Sequence, residues 1–233
     1  MSTPDTSGPS TPLQPVRVWD LPTRLFHWLL AATVVALVVT GHVGGNALYW
    51  HVVMGLAVGA LLVFRVIWGL VGGRWSRFAS FVRLPGTILR YLRGDHRPGD
   101  HFEVGHNPLG ALSVLGLLSL LIVQVATGLV ADDEIATKGP LNGWVSSALA
   151  SKATGWHTEV GQWLLVALVV LHVAAIVVYR RKGINLVTPM VTGDKSLPAD
   201  VPPSRDNLAT RLLAAVLLAA CAAGAMWVYR QGL

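Results

Sequence analysis

The chain has 233 residues, 53% of them hydrophobic and only 13% charged, against about 25% charged in an ordinary soluble domain. That composition excludes wholesale disorder and leaves too little polar surface for a water-soluble globule, so an integral membrane protein is expected. A single cysteine, Cys221, excludes an internal disulfide framework, a thiolate zinc site and an iron–sulfur cluster.

Residues 1–16 are rich in Pro, Ser and Thr and read as a disordered tail. Five apolar blocks follow, at about 25–43, 51–71, 109–130, 160–179 and 212–228. Each is near the ~20 residues that cross a hydrocarbon core of about 30 Å as a helix. None shows the period-2 alternation of a barrel strand. The first block is too long, and too interrupted by His27 and Trp28, to read as a signal peptide. An all-α fold is therefore expected, with a four-helix transmembrane bundle and a fifth C-terminal transmembrane helix.

Basic residues set the orientation. Arg74, Arg77, Arg83, Arg90, Arg93 and Arg97 lie between the second and third blocks. Arg180, Arg181, Lys182, Lys195, Arg205 and Arg211 lie between the fourth and fifth. The 42–50 loop carries no charge, and the 131–156 loop sets Lys138 and Lys152 against Asp132, Asp133 and Glu134. The positive-inside rule places the N-terminus in the cytoplasm and the C-terminus outside. It also accounts for the net charge of +6 without a nucleic-acid partner. Phe81, Leu84, Ile88 and Leu92 among arginines suggest an amphipathic surface helix over 78–93, or a solvated basic loop. Residues 141–151 suit a small cap. Trp19, Trp28, Trp50, Trp75, Trp144 and Trp156 read as an interfacial belt in contact with membrane lipid.

Eight histidines remain. His96, His101 and His106 fall in a basic loop and are expected to see water, and His42 lies at the outer end of the first block. His51 and His157 open the second and fourth helices at the outer side, whereas His27 and His172 lie in the inner half of the first and fourth. Each depth thus receives two histidines from two helices, as bis-histidine haem b requires. His157 and His172 are 15 positions apart, about 22 Å of rise and about 60° of rotation, so they share a broad face. Gly55 and Gly161, one turn after His51 and His157, would leave room for a porphyrin or serve helix packing. Divalent metal transport would be expected to add carboxylates within the blocks, and their interiors contain none.

The stretches VWDLPTRLFHW (18–28), FRVIWGLVGGRWSRFASF (64–81), GHNPLG (105–110), TGL (127–129) and NLVTPMVTGDK (185–195) resemble the bacterial cytochrome b561 family, which includes the b-type cytochrome subunits of nickel–iron hydrogenases. The resemblance covers residues 17–196. It implies a di-haem bundle there, with residues 197–233 forming a linker and an extra helix. It further implies two non-covalent b haems, with His27 and His172 as inner iron ligands and His51 and His157 as outer ones. Their role would be to carry electrons across a bacterial inner membrane, between quinone and a c-type cytochrome or another redox enzyme subunit. Some members are thought to oxidise superoxide and reduce quinone. A haem-free scaffold or transporter is the remaining alternative. Arg65, deep in the second block, either snorkels to the headgroups or pairs with an inner-haem propionate. Arg24 and Arg77 are weaker candidates for that role. The fifth helix is expected outside the haem-bearing bundle, where Ala219, Ala223 and Gly224 would suit a partner or a second copy.

Overall fold

The computed structural model describes residues 12–95, 100–102 and 104–232. Strand β1 (Leu13–Arg17) leads into α1 (Leu21–Val43) and α2 (Ala47–Val71), followed by the short helices α3 (Phe78–Phe81) and α4 (Pro85–Leu92). Then come α5 (Pro108–Val130), α6 (Ser147–Gly155), a π turn over Trp156–Gly161 and α7 (Gln162–Arg181). α8 (Val187–Thr192), β2 (Asp194–Pro198) and α9 (Leu208–Arg230) complete the chain. Five helical runs are long and apolar enough to cross a membrane: α1, α2, α5, the run Ser147–Arg181, and α9.

Local chemistry sets the ends of these helices. Asp20 caps α1 by accepting from the Thr23 amide at 2.8 Å, with Pro22 in the first turn. Gly44 and Gly45 take φ of 68° and 54°. That left-handed backbone lets α2 double back on α1 after a three-residue turn. Asn107 caps α5 through the Gly110 amide at 2.7 Å, and Asn207 caps α9 through Thr210 at 2.9 Å. The expected 78–93 surface helix is broken in two. Leu84, preceding Pro85, is held extended at φ −64°, ψ 151°.

The fourth span begins earlier than its apolar block, because Ser146 caps a helical run that starts at Ser147 and passes through His157 without a break. At 35 residues the run is about 52 Å long and must project beyond the hydrocarbon.

α2 packs on α1, α5 and α9, and α5 packs on α7. Among the described residues α1 and α7 make no extensive contact with each other. The core gathers Phe26, Val58, Leu62, Phe64, Trp68, Leu118, Leu121 and Leu165, and α9 adds Ala214. α9 packs along α2 through Ala214, Leu217, Leu218 and Cys221 and touches α1 only slightly, so the helix expected apart from the bundle shares the core around α2. Its far end meets the 131–156 loop, with Trp227 edge-on to Trp144 at 6.2 Å. Ala219, Ala223 and Gly224 are exposed.

A second cluster closes the basic end. Val16, Val18, Trp19, Trp75, Val104, Leu197 and Val201 are buried together, so Trp19 and Trp75 do not belong to an interfacial belt. The disordered tail was expected over residues 1–16. Residues 1–11 lie outside the described residues, and Leu13–Arg17 pair antiparallel with Asp194–Pro198, Arg17 opposite Asp194. Asp206 ties the linker before α9 to the start of α1. It accepts from the Leu21 amide and from Arg211, and lies 3.3 Å from Arg17.

Candidate functional site

The two expected histidine pairs form, at the two ends of the bundle. His51 and His157 face each other at the far end with ring centres 5.9 Å apart. His27 and His172 do so toward the basic end at 6.4 Å. An iron bound to two imidazole nitrogens at about 2.0 Å, on opposite sides, would hold ring centres about 6.3 Å apart. Both pairs therefore fit a bis-histidine haem iron. Among the described residues no three His, Cys, Asp or Glu side chains converge on a bare metal ion. A pair offering two ligands suits a metal whose remaining positions are filled by a macrocycle.

At the far end the rings are held by matching cradles. His51 Nδ1 donates to the Leu37 carbonyl at 3.0 Å, and His157 Nδ1 donates to the Gln124 carbonyl at 2.9 Å. Each bond fixes a tautomer with Nε2 bare and ready to ligate. Three residues beyond each carbonyl stands a threonine, Thr40 or Thr127, whose hydroxyl donates at 2.8 Å to the carbonyl of Ala36 or Val123 and also lies 3.2 and 3.0 Å from the cradle carbonyl. One residue further stands a glycine. A Cβ on Gly41 would lie 3.2 Å from His51 Cε1, and one on Gly128 would lie 2.8 Å from His157 Cε1. The pattern is visible in the sequence as LVVTG (37–41) and QVATG (124–128), a repeated Thr-Gly step on the span preceding each ligand.

The His157 cradle has an extra tie. The Gln124 amide donates to the His157 carbonyl at 2.7 Å, inside the π turn Trp156–Gly161. A single π turn re-aims a side chain within an otherwise regular helix, and such turns recur at functional sites. Beside the pair lies a largely apolar cleft of about 1260 Å³ of free space, its mouth included, lined by Val34, Gly55, Leu121, Val125 and Leu165 with both histidines. A Cβ on Gly55 would meet nothing within 4 Å, which favours room for a porphyrin over helix packing at this glycine. Gly161 does not: a side chain there would run into Gln124 and Trp156, so its smallness serves helix packing.

The basic-end pair has no such cradle. His27 Nδ1 is buried without a partner. Its position is set instead through the cap of α1. Asp20 is fully buried and accepts from Trp68 Nε1 at 3.1 Å, the Gly73 amide at 3.1 Å and Ser76 Oγ at 2.7 Å. These bonds fasten the start of α1 to the end of α2, two turns before His27.

Arg65 is only 3% exposed, its guanidinium 4.9 Å over the Phe78 ring, so it does not reach the surface as snorkelling requires. Its Nη1 has no partner. Arg24 instead donates to the Val191 carbonyl at 2.6 Å. His106 was expected to see water, yet its Nδ1 is buried and unpartnered. Burial, with the charges of Arg65, His27 and His172 nearby, pushes its pKa down to about 3, so the ring is neutral.

Of the other histidines, His42 is exposed and bonds the carbonyl of its own helix at Val38 at 2.8 Å; it does not face His157. His101 lies against Trp75, and His96 falls outside the described residues.

The sequence matches the family described as prokaryotic cytochrome b561 over residues 18–193. Among curated proteins it is 25% identical to the probable Ni/Fe-hydrogenase B-type cytochrome subunit of Bradyrhizobium diazoefficiens, covering 82% of this chain and 90% of that protein. It is 27% identical to the probable Ni/Fe-hydrogenase 1 B-type cytochrome subunit of Escherichia coli K12, over 67% and 80%. The corresponding subunit of Azotobacter vinelandii is 27% identical over 80% and 91%. No solved structure matches. With five membrane-length helices and a family match over three quarters of its length, this multi-pass membrane chain belongs to the prokaryotic cytochrome b561 family.

Proposed function

We propose that this chain is the membrane electron-transfer subunit of a redox enzyme, holding two b haems and passing electrons between that enzyme and a quinone in the lipid. The observation that carries the reading is the recurrence of one ligand geometry at two depths, with ring centres 5.9 and 6.4 Å apart. Bound haem supplies a one-electron iron couple. His51 and His157 would ligate the far-end iron, and His27 and His172 the basic-end iron. The buried Arg65 offers its charge to a propionate of the basic-end haem. The relatives' names favour a nickel–iron hydrogenase as the partner. The arginine-rich loops support a reading with the N-terminus and the basic end in the cytoplasm and the C-terminus outside, in a bacterial inner membrane.

A pyridine haemochrome assay on the purified chain tests the stoichiometry. Two b haems per chain are expected, and none would overturn the reading. Alkaline phosphatase fused after the C-terminus should be active if that end lies outside.

A further inference from the structure

We propose that His106 and Arg65 together form an anion-binding site beside His27 and His172, and that its ligand is a propionate carboxylate of the haem held there. The inference rests on the proposed function and adds His106 to it.

Two buried groups at this end have hydrogen-bonding capacity that the chain does not use. Arg65 is buried, and among the described residues no carboxylate lies within ion-pair distance of it. The carboxylate nearest in effect, Asp20, has both oxygens taken by Thr23, Trp68, Gly73 and Ser76. A buried guanidinium without a counter-ion is costly. His106 is the second such group. Its ring lies between Trp19 and Phe81, with both ring centres 4.7 Å away. These contacts fix the plane of the imidazole and leave Nδ1 buried with no acceptor.

The two groups are joined by a run of aromatic contacts: Arg65 over Phe78, Phe78 edge-on to Phe81, and Phe81 against His106. The next residue, Asn107, donates to Tyr179 Oη at 2.7 Å. Tyr179 is two turns beyond His172 on α7, so His106 is held in register with the helix that carries the ligand. Burial is the main cause of the depressed His106 pKa, and the smaller contributions of Arg65, His27 and His172 agree with this closeness.

A charged fork and a neutral N–H differ in kind, and a carboxylate has two oxygens able to serve both. A propionate is the carboxylate that ligation by His27 and His172 would itself bring to this place. A neutral imidazole adds a directional bond without a second buried charge.

The test compares His106→Leu and His106→Gln in the full chain. The measurements are haem content, the basic-end midpoint potential and the propionate bending bands in resonance Raman spectra. Two haems should remain in both variants. In His106→Leu the basic-end potential should fall, by less than in Arg65→Gln, and a propionate band should shift to its weakly bonded position. His106→Gln, which keeps an N–H donor, should recover part of both changes. The far-end component should stay in place. Unmoved potential and bands in both variants would overturn the inference and leave His106 a packing residue. A wild-type chain lacking the basic-end haem would overturn the proposed function as well, and that is read before any variant is made.

Discussion

The two histidine pairs share a ring-centre spacing and are held in opposite ways. At the far end both Nδ1 atoms donate to carbonyls of the preceding span, and both rings lie against a glycine. At the basic end His27 Nδ1 has no partner, and Arg65 Nη1 and His106 Nδ1 are likewise buried without one. The far-end ligands are thus oriented by the protein itself, whereas the basic-end ligands sit among groups waiting for an acceptor. A carbonyl bond to Nδ1–H makes the ligand more basic and favours oxidised iron. A buried guanidinium favours reduced iron. On the proposed di-haem reading both differences act in one direction, and the basic-end haem is expected to have the higher potential.

The largest effect that would break the comparison is expected at Gly128. A methyl there would lie 2.8 Å from His157 Cε1, closer than carbon atoms pack. Gly128→Ala should displace the ring and lose the far-end haem, with the basic-end spectrum intact. Gly41→Ala, at 3.2 Å, should weaken the same haem without losing it. Difference spectra of the two variants check the ranking.

Asp20→Ala attacks the basic end through its frame. It removes a helix cap and leaves buried donors on Trp68, Gly73 and Ser76 unsatisfied, a loss of about 3 kcal/mol. Thermal unfolding in detergent should show the lower midpoint, and basic-end haem should be the first released.

Arg65→Gln should keep both haems and lower only the basic-end potential, because removing a positive charge favours the oxidised, more positive iron. A redox titration in which neither potential moves would remove Arg65 from that site.

The smallest effect is expected at the threonines. Thr40→Val and Thr127→Val each remove a hydroxyl shared between the cradle carbonyl and the carbonyl before it, worth about 1 kcal/mol. Both should shift the far-end potential slightly and in the same direction, since the cradles are copies. Opposite shifts would show that the Thr-Gly repeat is coincidence.

What was legible in the sequence follows from the range of the interactions. Spans and histidine depths are local, since 20 apolar residues or a 15-residue spacing can be read from one stretch of chain. The pairing of Leu13–Arg17 with Asp194–Pro198 joins segments about 180 residues apart, and nothing in a Pro- and Ser-rich tail announces it. The fourth helix was read short because Ser147–Gly155 is polar, although the Ser146 cap was there to be seen. The spacing of Gly161 from His157 leaves porphyrin room and helix packing equally open, and only the π turn, which sets it against Gln124, decides for packing. The Thr-Gly repeat was present all along. It has meaning only once α1 and α5 are known to lie beside the ligands of α2 and the fourth span. His106 looked solvated because its loop is basic, and only the fold puts Trp19 and Phe81 on either side of it.

The central claim is that two pairs of histidines, one at each end, hold two separate haems. An optical redox titration of the wild-type chain and of His27→Ala, His172→Ala, His51→Ala and His157→Ala tests it most directly. The account predicts two components in the wild type. The higher-potential component should be missing in both His27→Ala and His172→Ala, and the lower in both His51→Ala and His157→Ala. Loss of the same component in His27→Ala and His51→Ala would contradict it.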